Sequence, residues 1–210
     1  KDILDNYDSM AAVIIKDMDA IKKEYGRKRR TAIENAEEAV YEEKKMEEME
    51  VCFLMDRFGY MKLIDKNAYE RNKEAVHNEN KYVFNCMNTD KICIFTDTGK
   101  MHTIKAVDIP LGRFRDKGTP VDNLSNYDSS QERMLYVAPV GQLRSDRLLF
   151  VTKTSMCKLV EGAEFDVAKR TIASTKLADE DELIFIGSAS EMEQIVLQSH
   201  GGCFLRFLTQ

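Results

Sequence analysis

The sequence lacks any long apolar run. Of its 210 residues 43% are apolar, yet nothing approaches the roughly 18 consecutive apolar residues of a membrane-spanning helix. Its first residues are charged, with no apolar stretch before a small-residue cleavage site, so no secretory signal is read and the cytoplasm is the expected compartment. Cysteine pairs are missing too. The five cysteines are odd in number and form no C-x-x-C, and four lie in strand-like apolar runs, so buried reduced thiols are expected. His77, His102 and His200 are isolated from any paired ligand spacing, which argues against a structural metal. There is no G-x-S-x-G, P-loop or dinucleotide fingerprint, no carboxylate pair marked by its spacing, and no tyrosine in a nucleophile's context. A free-standing enzyme is therefore the least supported class. An excess of positive charge is also absent: 31 basic residues face 36 acidic ones, a net charge of -5. Residues 1–50 carry 10 basic and 14 acidic side chains, and residues 51–210 carry 21 and 22. Any nucleic-acid surface must come from a local arrangement of charge.

What is present is a repeat. An apolar strand runs into a tight turn and then into a second strand with a Lys, Arg or His in it. The unit occurs as VCFLMDRFGYMKLI at 51–64, ICIFTDTGKMHTIK at 92–105, LLFVTKTSMCKLV at 148–160 and IVLQSHGGCFLRFL at 195–208. The turn position holds Gly59, Gly99, Ser155 and Gly201, spaced 40, 56 and 46 residues apart. A fixed supersecondary unit at that spacing predicts blades or another repeat array. About a dozen short strands are expected from Val51 onward, paired antiparallel because tight turns join them. A radial array of small sheets would also cover exposed strand edges.

Residues 8–25 read as an amphipathic helix with Ile14, Met18, Ile21 and Tyr25 on one stripe, Asp8 or Ser9 as N-cap and Gly26 as stop. The stripe has coiled-coil spacing but is short, and a helix packed on its own domain fits equally well. The basic run Arg27–Arg30 follows; it can be a solvated segment, a helix C-terminal complement or a phosphate contact. Residues 31–50 are acidic and rich in helix formers, and composition changes sharply at Val51. The expected organisation is a helix end and basic cluster over 1–30, an acidic linker or helix over 31–50, and a β domain over 51–210.

The functional signal lies between the strands. DIPLGRFRDKGTPVDNL at 108–124 is a glycine-hinged basic loop carrying Arg113, Arg115 and Lys117. Glycine lets a backbone come close to a partner, and the cations can neutralise phosphates. An ordinary surface loop is the plainer alternative, and Asp116 weakens the field. Cations also follow the turns: Lys62, Lys100 with Lys105, Lys158 and Arg206. In a radial array equivalent positions fall on one rim, and such a basic track would hold duplex by its backbone and bend it.

These residues also carry a resemblance. IKKEYGRKRRTAI at 21–33 resembles the end of the coiled-coil helix in the A subunits of bacterial type IIA topoisomerases, the DNA gyrases and topoisomerases IV. DRFGYMK at 56–62 and FTDTGKMHTIKAVDIP at 95–110 resemble blades of their C-terminal β-pinwheel. GRFRDKGTPVDNL at 112–124 is similar to a recurrent Arg-x-x-x-Gly-x-x-x-x-Asn-Leu segment, and residues 179–202 to an inter-blade passage. The resemblance implies a mainly β fold, a β-pinwheel preceded by a helical coiled-coil or linker segment. It implies a DNA-binding and bending role within ATP-dependent double-strand passage. The partners it implies are double-stranded DNA, an ATP-binding B subunit, and a second copy of the A protein. Magnesium would sit at a cleavage site elsewhere, with no cofactor in this chain. DNA contacts are then expected at Arg113, Arg115 and Lys117, followed by Lys62, Lys105, Lys158, Lys169, Arg170 and Arg206. The family's catalytic tyrosine lies upstream in a winged-helix domain, and the fourth unit stops after its second strand, so a fragment is expected. Gyrases carry a Gln-Arg-Arg-Gly-Gly-Arg-Gly box after the first hairpin. Residues 69–84 lack it, and residues 164–177 keep Lys169 and Arg170 but not the glycines, which favours a topoisomerase IV-like role or weak wrapping. The rival from another class is a protein-interaction propeller without a DNA role.

Overall fold

Each repeat folds as an antiparallel hairpin, and each hairpin begins one sheet. The computed structural model describes residues 6–31, 47–192 and 194–208. The chain divides into two units, residues 1–45 and 46–210. In the first, α1 (Tyr7–Tyr25) is capped by Asn6, whose side chain accepts the Asp8 backbone N–H at 3.1 Å. The cap thus lies two residues before the expected Asp8, which falls in the first turn and complements the helix dipole there. Gly26 ends the helix as read, its N–H returning to the Lys22 carbonyl at 2.9 Å. Ile14, Met18, Ile21 and Tyr25 are all exposed. The acidic stretch expected as linker or helix falls largely on residues 32–46, outside the described residues.

In the second unit β1 (Glu50–Asp56) pairs with β2 (Tyr60–Asp65), β4 (Lys91–Thr96) with β5 (Lys100–Lys105), β8 (Arg147–Thr152) with β9 (Cys157–Glu161), and β12 (Gln194–Gln198) with β13 (Phe204–Leu208). The reversals need a left-handed residue. Gly59, Gly99 and Gly202 supply it at φ of 83°, 74° and 81°, and Ser155 adopts 66°. The fourth turn residue is therefore Gly202 and not Gly201.

A third strand leads from each of the first three sheets toward the next hairpin. β3 (Asn80–Met87) pairs with β1, β7 (Met134–Pro139) with β4, and β11 (Leu183–Ser188) with β8. A short fourth strand closes the first two sheets. β6 (Thr119–Pro120) pairs with β2, and β10 (Thr171–Ala173) with β5. The sheet orders are β3-β1-β2-β6, β10-β5-β4-β7, β11-β8-β9 and β12-β13.

Strand periodicity explains the packing. Side chains alternate between faces, and both faces of the central strands are buried, which is why they read as unbroken apolar runs. From the first sheet Val51, Phe53 and Met55 meet Ile92, Ile94 and Ile104 of the second. The second sheet's other face, with Cys93, Phe95 and Met101, meets Leu148, Phe150 and Val160 of the third. Leu149 and Val151 then meet Ile195, Leu197 and Phe207 of the fourth. The outer face of the first sheet, Cys52, Leu54 and Ile64, is covered by Val76, Ala68 and Tyr69 of α2 (Lys66–Glu79). This helix occupies part of the stretch where the gyrase box would lie; Asp65 caps it, accepting the Ala68 N–H at 2.8 Å.

The thiols only partly follow expectation. Cys52, Cys86 and Cys93 are buried and burial pushes them up, to about 11, 12 and 12. Cys157 is half-buried and Cys203 exposed. Cys203 precedes β13 directly and packs into none of the buried clusters.

Candidate nucleic-acid interface

The nine expected cations separate into three groups. The first lies on the passage from the second hairpin to β6. Arg113, Arg115 and Lys117 are exposed. The Asp116 carboxylate accepts the Arg113 backbone N–H at 2.7 Å, so this acid braces the turn that displays the arginines. Lys62 braces it from beneath. Its ammonium donates to the carbonyls of Phe114 at 2.5 Å and Asp116 at 2.7 Å, and lies 5.5 Å from the Phe114 ring centre. Lys62 thereby organises the basic loop. Lys117 rests its ammonium 4.5 Å from the centre of the Tyr60 ring, a cation–π contact. The close approach that Gly118 permits is internal: a Cβ there would strike the backbone of Met61, so this glycine lets β6 lie against β2.

The second group is assembled from segments distant in sequence. Lys105 at the end of β5 and Lys169 with Arg170 just before β10 line one surface cleft, together with Lys91 and Asp108. Arg170 is placed by the main chain, since its carbonyl accepts the Thr103 N–H at 2.8 Å. Lys91 stands directly opposite Lys105 in the hairpin register. Like charges opposite one another destabilise a sheet, and Asp166 offsets this by pairing with Lys91 at 3.4 Å. The Arg144 guanidinium, donating at 2.6 and 2.9 Å, holds the Asp166 carboxyl below the usual carboxylate range against a small effect of burial. Lys105, Lys169 and Arg170 are exposed and form no ion pair among the described residues. Sequence reasoning missed Lys91; its place opposite Lys105 emerges only once the hairpin is in register.

The third group is dispersed. Lys158 lies on β9 opposite Phe150, and Arg206 on β13 opposite Val196. The single rim expected from radial equivalence does not form. Lys62 and Lys158 both lie three residues past their turn residue, the register place taken by His102 in the second sheet and Leu205 in the fourth. Lys105 and Arg206 lie six and four residues past theirs. Because the strand period is two, these point to the opposite face. Arg206 accordingly shares its face with the exposed Val196, Phe204 and Leu208.

A buried polar cluster fixes the second sheet behind these cations. His102 Nε2 lies 2.9 Å from Glu132 Oε2, and Lys100 donates to Glu132 Oε1 at 2.7 Å. His102 Nδ1 is 3.1 Å from Thr171 Oγ1, and Asn126 donates to the same hydroxyl at 3.2 Å. Burial acts to raise Glu132, but the hydrogen bonds from Lys100 and His102 outweigh it and leave the carboxyl below its ordinary range. The cluster ties β10, and with it Lys169 and Arg170, onto β5.

No protein-family model matches the chain. Among curated proteins it is similar to the DNA gyrase A protein of Clostridium acetobutylicum, 28% identical over 218 residues that cover 99% of this chain and 26% of that protein. The gyrase A protein of Streptococcus pyogenes is 26% identical over 219 residues, again 26% of its length. The chain thus spans about a quarter of the length of the curated relatives it matches. Two solved structures share the fold. The C-terminal domain of a DNA topoisomerase IV superposes with a TM-score of 0.65 at 19% identity, covering 78% of this chain and 53% of that one. The C-terminal domain of Escherichia coli ParC gives 0.59 at 13%, covering 76% and 65%. With similarity to curated gyrase A proteins extending over nearly the whole chain and the stacked hairpins matching in three dimensions, the chain is similar to DNA gyrase A proteins and has the β-pinwheel fold of those C-terminal domains.

Proposed function

We propose that residues 46–210 hold double-stranded DNA by its phosphate backbone and bend it, within the A protein of an enzyme that passes one duplex through another. The observation that carries this reading is the convergence of Lys105, Lys169 and Arg170 on one cleft, exposed and without ion pairs among the described residues. Arg113 and Arg115 add an exposed loop. Cations so placed neutralise phosphates without reading bases, so binding should be indifferent to sequence and steeply salt-dependent. In this reading the cleavage chemistry, its magnesium and the ATP site lie in other parts of the enzyme. The protein partners are then the B subunit, which binds ATP, together with a second copy of the A protein. The missing Gln-Arg-Arg-Gly-Gly-Arg-Gly box supports weak wrapping of the topoisomerase IV kind, although the curated relatives cited carry gyrase names.

The rival reading, a protein-interaction module, draws on the exposed Val196, Phe204 and Leu208 of the fourth hairpin. Plasmid ligation with and without the protein, resolved as topoisomers, tests bending and wrapping. A modest shift in linking number at saturating protein supports the weak-wrapping reading. Unchanged topoisomers with no duplex binding at low salt would favour the interaction module.

A further inference from the structure

The passages that follow the second and third hairpins start and end alike, yet they differ in length and in what they carry. The Ala106 N–H returns to the Asp90 carbonyl and the Gly162 N–H to the Asp146 carbonyl, each at 2.8 Å. Further on, Thr119 lies opposite Met61 and Ile172 opposite Met101. Between these places the first passage runs thirteen residues and the second ten. The longer one makes a turn over Arg113–Asp116, closed by the Asp116 N–H on the Arg113 carbonyl at 3.0 Å. Lys169 and Arg170 are adjacent in the second passage, whereas Phe114 separates Arg113 from Arg115 in the first.

That phenylalanine is half-buried between two exposed arginines. It packs on the cluster that joins α2 to the first sheet, made by Cys52, Leu54 and Ile64 of the sheet with Val76, Ala68 and Tyr69 of the helix. Its main chain is held as well, because Lys62 donates to its carbonyl while the same ammonium lies 5.5 Å from its ring centre. Just upstream the loop is fastened to β2, where the Pro110 carbonyl accepts the Leu63 N–H at 3.0 Å and the Gly112 N–H donates to the Leu63 carbonyl at 2.9 Å. The helix on the far side of the cluster carries three basic residues, Lys66, Arg71 and Lys73, against three acidic ones, Glu70, Glu74 and Glu79. It therefore offers phosphate no net attraction of its own.

We infer that Phe114 is the positioning residue of the basic loop: seated on the cluster under α2, it holds Arg113 and Arg115 ready for duplex phosphates. In this account α2 serves DNA binding through that seat and not by touching DNA. The inference rests on the reading of the loop as a phosphate contact. Its physical basis is preorganisation. Arginines on a free loop would give up backbone and side-chain freedom on binding, and order imposed beforehand removes part of that cost. Phe114 itself touches no phosphate. Its loss should therefore lower affinity while leaving the number of phosphates neutralised, and hence the salt slope, nearly as it was.

Binding of the whole chain to a random duplex across a salt series tests this in four variants. These are Phe114→Ala, Phe114→Leu, Arg113→Ala/Arg115→Ala, and Phe114→Ala added to that arginine pair. Phe114→Ala should weaken binding about five- to tenfold, the scale of ordering two arginine side chains, with a log–log slope within about half a unit of the wild type. Phe114→Leu, which keeps an apolar anchor, should stay within about twofold of the wild type. The arginine pair should flatten the slope by up to about 2, and adding Phe114→Ala to it should change affinity by less than about twofold, the non-additivity of residues acting through one another. Limited digestion with trypsin should cut after Arg113 and Arg115 faster in Phe114→Ala than in the wild type. Wild-type affinity in Phe114→Ala overturns the inference. So does an equal loss in both backgrounds, which would make Phe114 act apart from the arginines, and so does an arginine pair that binds as the wild type does. These results leave the cleft of Lys105, Lys169 and Arg170 as the phosphate contact. A wild type that binds no duplex at low salt removes the proposed function itself, and this inference with it.

Discussion

Glu132 sits where three stretches of chain meet, and its removal is the most damaging single change we expect outside the apolar layers. Its carboxylate is buried with His102 and is shared with Lys100. Taking one partner from a buried ion pair leaves the other desolvated and unmatched. Glu132→Gln should therefore cost about 3 kcal/mol in a denaturant titration. The same group predicts an acid response. Its folded pKa lies below its unfolded one, so its contribution is present above the unfolded pKa and fades as pH falls through the folded value. Stability should decline on acidification below about pH 4.5, in the range of an ordinary glutamate, and part of that slope should vanish in Glu132→Gln. Asp146 and Asp166, whose carboxyls are also held low, act in the same direction. At the third turn Ser155 stands in the left-handed region that glycine occupies in the other three. Relief of that strain opposes glycine's larger entropy in the unfolded chain, so Ser155→Gly should change stability by less than about 1 kcal/mol. Gly99→Ala should destabilise by more than that, because its Cβ would also press on the Thr175 carbonyl at 3.0 Å.

At the scale of the element, stability resides in the contacts between successive sheets. Phe95 is fully buried between the second and third, edge-on to Phe165 at 4.9 Å and to Phe150 at 6.1 Å. Phe95→Ala should cost about 3–5 kcal/mol and should disturb hydrogen exchange most in the two sheets it joins, as expected of a nearest-neighbour array. The hairpins were legible in the sequence because each turn pairs a left-handed residue with flanking apolar runs, as Asp97-Thr98-Gly99 does. The α2 helix was not. Its sequence mixes Asn, Glu and Lys with only Tyr69 and Val76 as larger apolar anchors, and the backbone departs from helical geometry at Asn72. The short β6 and β10 were equally hidden. Two or three residues cannot display a period, and their pairing is set by a hairpin tens of residues away. For the same reason the basic loop was legible as a loop, while the meeting of Lys105 with Lys169 and Arg170 was not. Nor does any pattern along the chain betray that carbonyls engage Lys62.

At the scale of the whole molecule, a chain of net charge -5 would have to confine any attraction for phosphate to local clusters. In the reading proposed above, the cleft of Lys105, Lys169 and Arg170 and the loop of Arg113 and Arg115 are those clusters. The measurement that bears most directly on the account is binding to a labelled random duplex across a salt series, for the wild type and for Lys105→Ala/Lys169→Ala/Arg170→Ala. The account predicts affinity that falls steeply as salt rises. In the variant it predicts weaker binding to all sequences alike and a log–log slope shallower by about 2–3, nearly one unit for each phosphate contact removed. A wild type that does not bind duplex at low salt, or a folded variant with unchanged affinity and slope, would contradict it.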